Sequence, residues 1–296
     1  DLPAILADAR VSRGDLLLRL NDPSGAKEAF LGICRRQDAA SFARAKGLFG
    51  AGEVELICGD LALPYAPTRF TQALQLCREA DPRDTDPDVQ ELKADITRRL
   101  GTVHRMSGKL DEAEVSYTSA EAIYTRSETV RGLAWLLPER AELLRARAYA
   151  LEGPAAEKFL GEAASAYEKG KTVAQKIRSI NWFAHCLIGE CELARIAYQR
   201  CKKPLPQDLG VKFANAFEIY CQISSHWGIA QTFISEALLY HAAPGAFPNK
   251  YAISADKLEQ AERFCRELGL KPEIALIARI KSGKGTAAEL HPLTFI

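Results

Sequence analysis

Along nearly the whole chain, apolar positions recur three and four residues apart, while alternation with a period of two is almost absent. That rhythm places apolar side chains on one stripe of a helix and argues against half-buried strands. The β-branched clusters that mark strands are missing, and Ala, Leu, Glu, Arg and Lys, all good helix formers, dominate. Prolines and glycines fall between the periodic segments, at Asn21-Asp22-Pro23, Pro64 to Pro67, Pro82 to Pro87, Gly153-Pro154, Pro204 to Pro206 and Pro244 to Pro248. These breaks predict about a dozen helices and an all-α fold. Asp88, directly after Pro87 and with Glu91 three residues on, resembles a capping-box start for the helix that follows.

A dozen antiparallel helices can form a bundle or a solenoid, so internal repetition decides the architecture. The clearest unit is Leu100 to Tyr117, LGTVHRMSGKLDEAEVSY. Gly101 and Ala113 are small where two helices approach closely, and Leu100 and Tyr117 fill the space between them. Gly108 is suited to the left-handed residue that stops a helix, and Asp111 with Glu112 favours the positive end of the next. A second unit, Arg13 to Ile33, repeats the spacing. Gly14, Asn21, Ala26 and Phe30 are separated by seven, five and four residues, as are Gly101, Gly108, Ala113 and Tyr117. Arg13 stands where the first unit has Leu100.

This spacing resembles the tetratricopeptide repeat (TPR) family. The resemblance implies a right-handed α-solenoid of about six antiparallel helix pairs over residues 1–282, followed by a flexible tail over 283–296. Weaker units are laid on the same plan at Ala51-Gly52 with Gly59-Asp60, and at Ala146, Gly153, Ala163 and Tyr167. Two further hairpins fall at roughly 181–224 and 226–268. With Ala26, Ala73, Ala113, Ala163, Ala214 and Ala261 as equivalent landmarks, the gaps are 47, 40, 50, 51 and 47 residues. All exceed the usual 34 of the family, which implies longer helices or loops. One hairpin cannot bury its apolar face alone, so successive hairpins stack and share a core. In the resembled family the first helix of each pair lines a concave groove that receives a peptide or a helix from a partner.

Charge adds little direction. Thirty-nine Lys plus Arg against 38 Asp plus Glu leave a formal net charge of +1, which supplies no global drive toward nucleic acid or an anionic membrane. The first twenty residues lack the plan of a signal peptide, and no stretch reaches the roughly 20 apolar residues of a membrane span. The eight cysteines lie inside apolar helical stretches and form no C-x-x-C pair. Cys186 and Cys191 stand about 140° apart around a helix. Reduced core cysteines in a cytoplasmic protein are therefore expected. The chain begins with Asp1 and has a single methionine, Met106, which suggests a piece of a longer polypeptide.

Catalytic patterns are not found. The five histidines are scattered, with no H-E-x-x-H, and His185-Cys186 with Glu190-Cys191 lacks the i,i+4 geometry of a helical zinc site. Lys281 to Thr286, KSGKGT, does not follow the order of a phosphate loop, and no G-x-S-x-G is present. No cofactor and no metal are implied. The aromatic residues Trp135, Trp182, Phe183, Phe217, Tyr220, Trp227, Phe233 and Tyr240 are expected mostly in the core or between repeats, with a minority lining a hydrophobic groove. A basic stripe is the more promising feature. Arg98 and Arg105, seven apart, share a helix face, and Arg140 with Arg147 takes the same two places on the next unit. By the resemblance these four look into the groove, where guanidinium groups suit an acidic peptide or a terminal carboxylate. The asparagines that chaperone-tail-binding members carry beside their basic residues are missing: Thr102 and Arg147 stand there.

The reading that follows is a non-enzymatic scaffold that binds a protein or peptide partner of acidic character in a preformed groove. The alternative is the C-terminal sensor module of a larger bacterial signalling ATPase or transcription regulator, with an upstream domain of the same chain as partner.

Overall fold

The computed structural model of the chain describes residues 2–36, 38–58, 65–247 and 250–282. The expected helix stop at Gly59-Asp60, the tail over 283–296 and the end of the KSGKGT segment lie outside the described residues. Thirteen helices and no strand occur among those described. They are α1 (Leu2–Arg19), α2 (Pro23–Cys34), α3 (Ser41–Cys58), α4 (Tyr65–Ala80), α5 (Pro87–Met106), α6 (Leu110–Arg126), α7 (Val130–Tyr149), α8 (Gly153–Lys176), α9 (Ile180–Cys201), α10 (Leu209–Gln222), α11 (His226–Ala242), α12 (Lys250–Leu268) and α13 (Lys271–Lys281).

The even-numbered helices carry one buried template at positions i, i+4, i+7 and i+11. It reads Ala66, Phe70, Ala73, Cys77 on α4, and Ala113, Tyr117, Ala120, Tyr124 on α6. On α8 it reads Ala163, Tyr167, Gly170, Ala174; on α10, Leu209, Phe213, Ala216, Tyr220; and on α12, Ser254, Leu258, Ala261, Cys265. Helix α2 supplies the first three places with Ala26, Phe30 and Ile33. This corrects the landmarks read from sequence. Ala66 rather than Ala73 matches Ala26, Ala261 takes the third place rather than the first, and Ala214 is exposed while Ala216 is buried.

The large residues of the template are seated on glycines. A Cβ on Gly14 would fall 2.5 Å from Phe30, and one on Gly101 would fall 2.6 Å from Tyr117. Gly132 and Gly228 stand in the same relation to Tyr124 and Tyr220, at 2.2 and 2.1 Å. Leu100 packs half-buried on the cluster formed by α3, α4 and α5. The roles expected of Gly14, Ala26, Phe30, Leu100, Gly101, Ala113 and Tyr117 are thus positions in one packing scheme.

Helix ends recur as well. Gly108, with φ +75°, ends α5 in the left-handed region, and Asn21 does the same for α1 at φ 59°. Glu128, Arg178 and Ser224 adopt that conformation too, without being glycine. After each, a backbone N–H reaches back five residues: Thr129 to Tyr124, Ser179 to Ala174, and Ser225 to Tyr220, at 2.8–2.9 Å. This is the Schellman closure. Helix α5 starts two residues earlier than its capping-box reading. Asp86 is the N-cap, its carboxylate accepting from the N–H groups of Asp88 and Val89, with Pro87 in the first turn.

The repeat domain expected over 1–282 packs as two compact units that divide between Leu136 and Leu137, inside α7. Pro138 follows at once and gives Ala134 no backbone N–H to accept. In the first unit, α1 packs on α2 and α3, and α3 on α4 and α5. Glu55 of α3 ties down both flanking helices by pairing with Lys27 and Arg69, each at 2.9 Å. In the second unit, α9 packs on α8, α10 and α11, and α11 is buried all round from Trp227 to Tyr240. No helix among the described residues is long and apolar enough to cross a membrane.

Candidate functional site

Buried charges gather on the odd-numbered helices. In the second unit, Arg145 donates from Nε and Nη2 to Glu142 Oε2 at 3.0 and 2.6 Å, and from Nη1 to Glu192 Oε2 at 3.5 Å. Arg195 grips Glu192 in the same way, at 3.2 and 2.7 Å, and extends to Gln199. The Tyr167 hydroxyl donates to Glu142 Oε1, and His185 Nε2 stands 3.6 Å from the same oxygen. Glu142, Arg145, Glu192 and Arg195 are at most 1% exposed. Burial opposes the charge of Arg145, but Glu142, Tyr167 and Glu192 outweigh it and hold its pKa above the ordinary value. Burial, reinforced by Glu142, pushes the Tyr167 hydroxyl well up, so it stays a donor. The four charges pair among themselves, and the spine they form fixes the register of α7, α8 and α9. Its sequence trace is Glu-Leu-x-Arg at 142–145, repeated at 192–195. The sequence reading missed that fifty-residue echo.

The first unit holds a smaller version. Arg99 donates to Glu53 at 2.9 and 2.6 Å, joining α5 to α3. Arg98 lies 3.7 Å from Asp95, and its guanidinium covers one ring face contact of Trp135 at 5.0 Å, while Arg131 approaches the same ring at 4.7 Å. The Tyr124 hydroxyl donates to Asp95 at 2.5 Å.

The expected stripe of open guanidinium groups is corrected by this arrangement. Arg98 and Arg105 are 2% and 5% exposed. At helical spacing the two do share a face of α5, and both side chains are buried, Arg98 with its guanidinium over the Trp135 ring. Arg140 and Arg147 are half-buried on α7, in the second unit. His185 and Cys186 face Glu142 and Gly170 respectively. No group of three or more His, Cys, Asp or Glu that could hold a metal ion occurs among the described residues. All eight cysteines are free thiols.

A groove of about 820 Å³ lies open in the second unit. One wall is the outer face of α8, from Pro154 through Lys158 and Gly161 to Ser165; Leu193, Ala194 and Ala197 of α9 form the floor. Glu157, Glu162 and Lys203 are at the rim, and Lys203 pairs with Glu157. Gly161 is informative. It sits in mid-helix without a positive φ, and a Cβ there would meet nothing within 4 Å. Glycine costs a helix interior about 1 kcal/mol relative to alanine, and no intramolecular packing requires it here. The groove is walled by the second helix of a pair, not lined by first helices alone.

Antiparallel helix pairs, an i, i+4, i+7, i+11 core template and glycines seating aromatic rings define the chain as a TPR-like array of helical hairpins. No family model matches it, and no curated protein matches it significantly. Among solved structures it is similar to one described as the TPR2AB-domain:pHSP90-complex of yeast Sti1, at 14% identity and a TM-score of 0.33, over 97% of this chain and 100% of that chain. A likeness so distant carries no argument, and the class rests on the packing just described.

Proposed function

We propose that the chain is a non-enzymatic protein-interaction module that holds a partner segment in the groove between α8 and α9. The observation that carries this reading is the groove lining: Gly161 and Ala164 on the wall and Ala194 and Ala197 on the floor are small, so a partner backbone can come close, and Leu160 and Leu193 add apolar surface. The α8 wall from 154 to 165 is about 16 Å long at 1.5 Å per residue, which fits three turns of an amphipathic helix. Apolar anchors in such a groove supply most of the affinity of helix-in-groove recognition. The rim carries both signs of charge, so the partner helix presents mixed charges along its flanks rather than an acidic run. The free thiols favour work in a reducing compartment.

A photo-crosslinking residue at position 161, compared with one at exposed Ser119 on α6, tests the assignment. A partner covalently trapped at 161 and not at 119, and lost when Ala194→Trp fills the floor, supports it. Equal labelling at the two positions, or trapping that survives Ala194→Trp, refutes it.

A further inference from the structure

Helix α13 closes the described part of the second unit, packing Leu276, Ile277 and Ile280 inward and turning Lys271, Arg279 and Lys281 to solvent. Among these apolar contacts lies one acid. Glu273, in the first turn of α13, is 3% exposed and faces Gln231 of α11, itself 1% exposed. Gln231 Nε2 donates to Glu273 Oε1 at 3.0 Å. The other oxygen of each side chain, Glu273 Oε2 and Gln231 Oε1, is buried with no hydrogen-bond partner. Two buried acceptors left without a donor, on side chains already joined by one hydrogen bond, are unfavourable in a dry interface. A proton on Oε2 satisfies both at once, because the acid then donates to the carboxamide oxygen while accepting from its N–H, closing a ring of two hydrogen bonds.

We propose that Glu273 and Gln231 form a proton-operated latch that clamps α13 onto α11 when the acid is neutral and releases it when the acid ionises. Burial, set against the weaker pull of the residue's own backbone N–H and the Gln231 amide, raises the carboxyl to about 7. None of these influences is a cation. Of the elements packed on α13, α12 presents the Cys265 thiol, which burial and the nearby Glu273 keep protonated. Glu262 of α12 is engaged with Lys281 at the far end of α13. On α11, His226 is directed to Glu267, at 3.5 Å. A carboxyl raised in the closed state holds α13 most firmly below its ordinary value of 4.5. The grip weakens as pH climbs through the interval to about 7 and is level above it. Between pH 5 and pH 8 the closed-to-open ratio falls by about tenfold or more.

Hydrogen exchange of the peptide spanning 271–281, corrected for intrinsic rates, reads this directly. The expected result is protection about tenfold or more lower at pH 8 than at pH 5, with α6 unaffected. Glu273→Gln makes the same ring with two amides and cannot ionise, so its α13 is expected to stay protected at both pH values. A wild-type α13 equally protected at pH 5 and 8, or an E273Q protein with the same pH response, would overturn the latch. Failure of E273Q to fold would also overturn it, because the carboxamide has the shape and hydrogen bonding of the neutral acid. Carbon NMR titration of the Glu273 carboxyl adds an independent reading: a midpoint below 5 counts against the proposal.

Discussion

Removing the guanidinium of Arg145 is the sharpest perturbation of the second unit. Arg145 is fully buried and supplies two close bonds to Glu142 and a third, longer one to Glu192. Arg145→Met keeps the length of the side chain and takes away the charge, leaving the Glu142 carboxylate facing the Tyr167 hydroxyl in a dry interior. Breaking one partner out of a buried pair costs about 3–5 kcal/mol. Replacing both charges is gentler: in Glu142→Leu with Arg145→Met, Glu192 keeps Arg195 and loses only its longer bond to Arg145, and the main residual loss is the orphaned Tyr167 hydroxyl, about 1–3 kcal/mol. Adding Tyr167→Phe removes that too, and the triple variant is expected near the parent. Urea unfolding followed by far-ultraviolet circular dichroism, with m near 3 kcal/mol/M, turns the single loss into a midpoint shift of about 1 M or more. The order single, double, triple is the test, because independent sites would add their losses instead. An R145M protein within about 1 kcal/mol of the parent, or a double variant less stable than R145M, would falsify the account of the spine.

Other consequences follow from the packing. Gly228→Ala drives a Cβ to within 2.1 Å of the Tyr220 ring and is expected to lower stability by about 1–3 kcal/mol, measurable as a drop in melting temperature. Gly161→Ala meets open space, so it is expected to gain up to about 1 kcal/mol; a loss in the same melt would mean that the groove wall is packed. Arg98→Glu with Arg105→Glu would spare the fold if the two side chains lined an open groove. With both side chains buried and Asp95 beside Arg98, it is now expected to destabilise the first unit by about 3 kcal/mol or more, and an unchanged melting curve would contradict the burial.

Gly101, Gly108, Ala113 and Tyr117 were legible because each does a local job: a small residue at a crossing, a left-handed stop, a ring between two helices. Gly14, Asn21, Ala26 and Phe30 repeat those jobs at the same spacing. The later units hid the same template because its places accept different residues. Leu209 and Ser254 stand where Ala113 does, and Phe213 and Leu258 where Tyr117 does. What recurs is a small residue facing a large one, as Gly132 faces Tyr124 and Gly228 faces Tyr220, rather than one residue type at each place. The stops at Glu128, Arg178 and Ser224 were invisible for a different reason: the local Schellman hydrogen bonds hold these exposed residues in a left-handed conformation that their side chains do not favour.

Helix content, hairpin rhythm and the small-against-large logic of the first repeats come from interactions within one hairpin, such as Gly14 with Phe30 and Gly101 with Tyr117, so the amino-acid order alone determines them. Whether Arg98 faces a groove or a neighbouring helix is different, because an amphipathic pattern shows which face carries charge and not what lies opposite. Helical periodicity puts Glu142 and Arg145 on one face in any fold; the approach of α9 makes them a buried spine with Glu192. Likewise Gln231 and Glu273, 42 residues apart, become partners through the seating of α13 on α11. The groove beside Gly161 is also a product of assembly, since an unfilled space is defined by the distance between helices and by nothing written in either one.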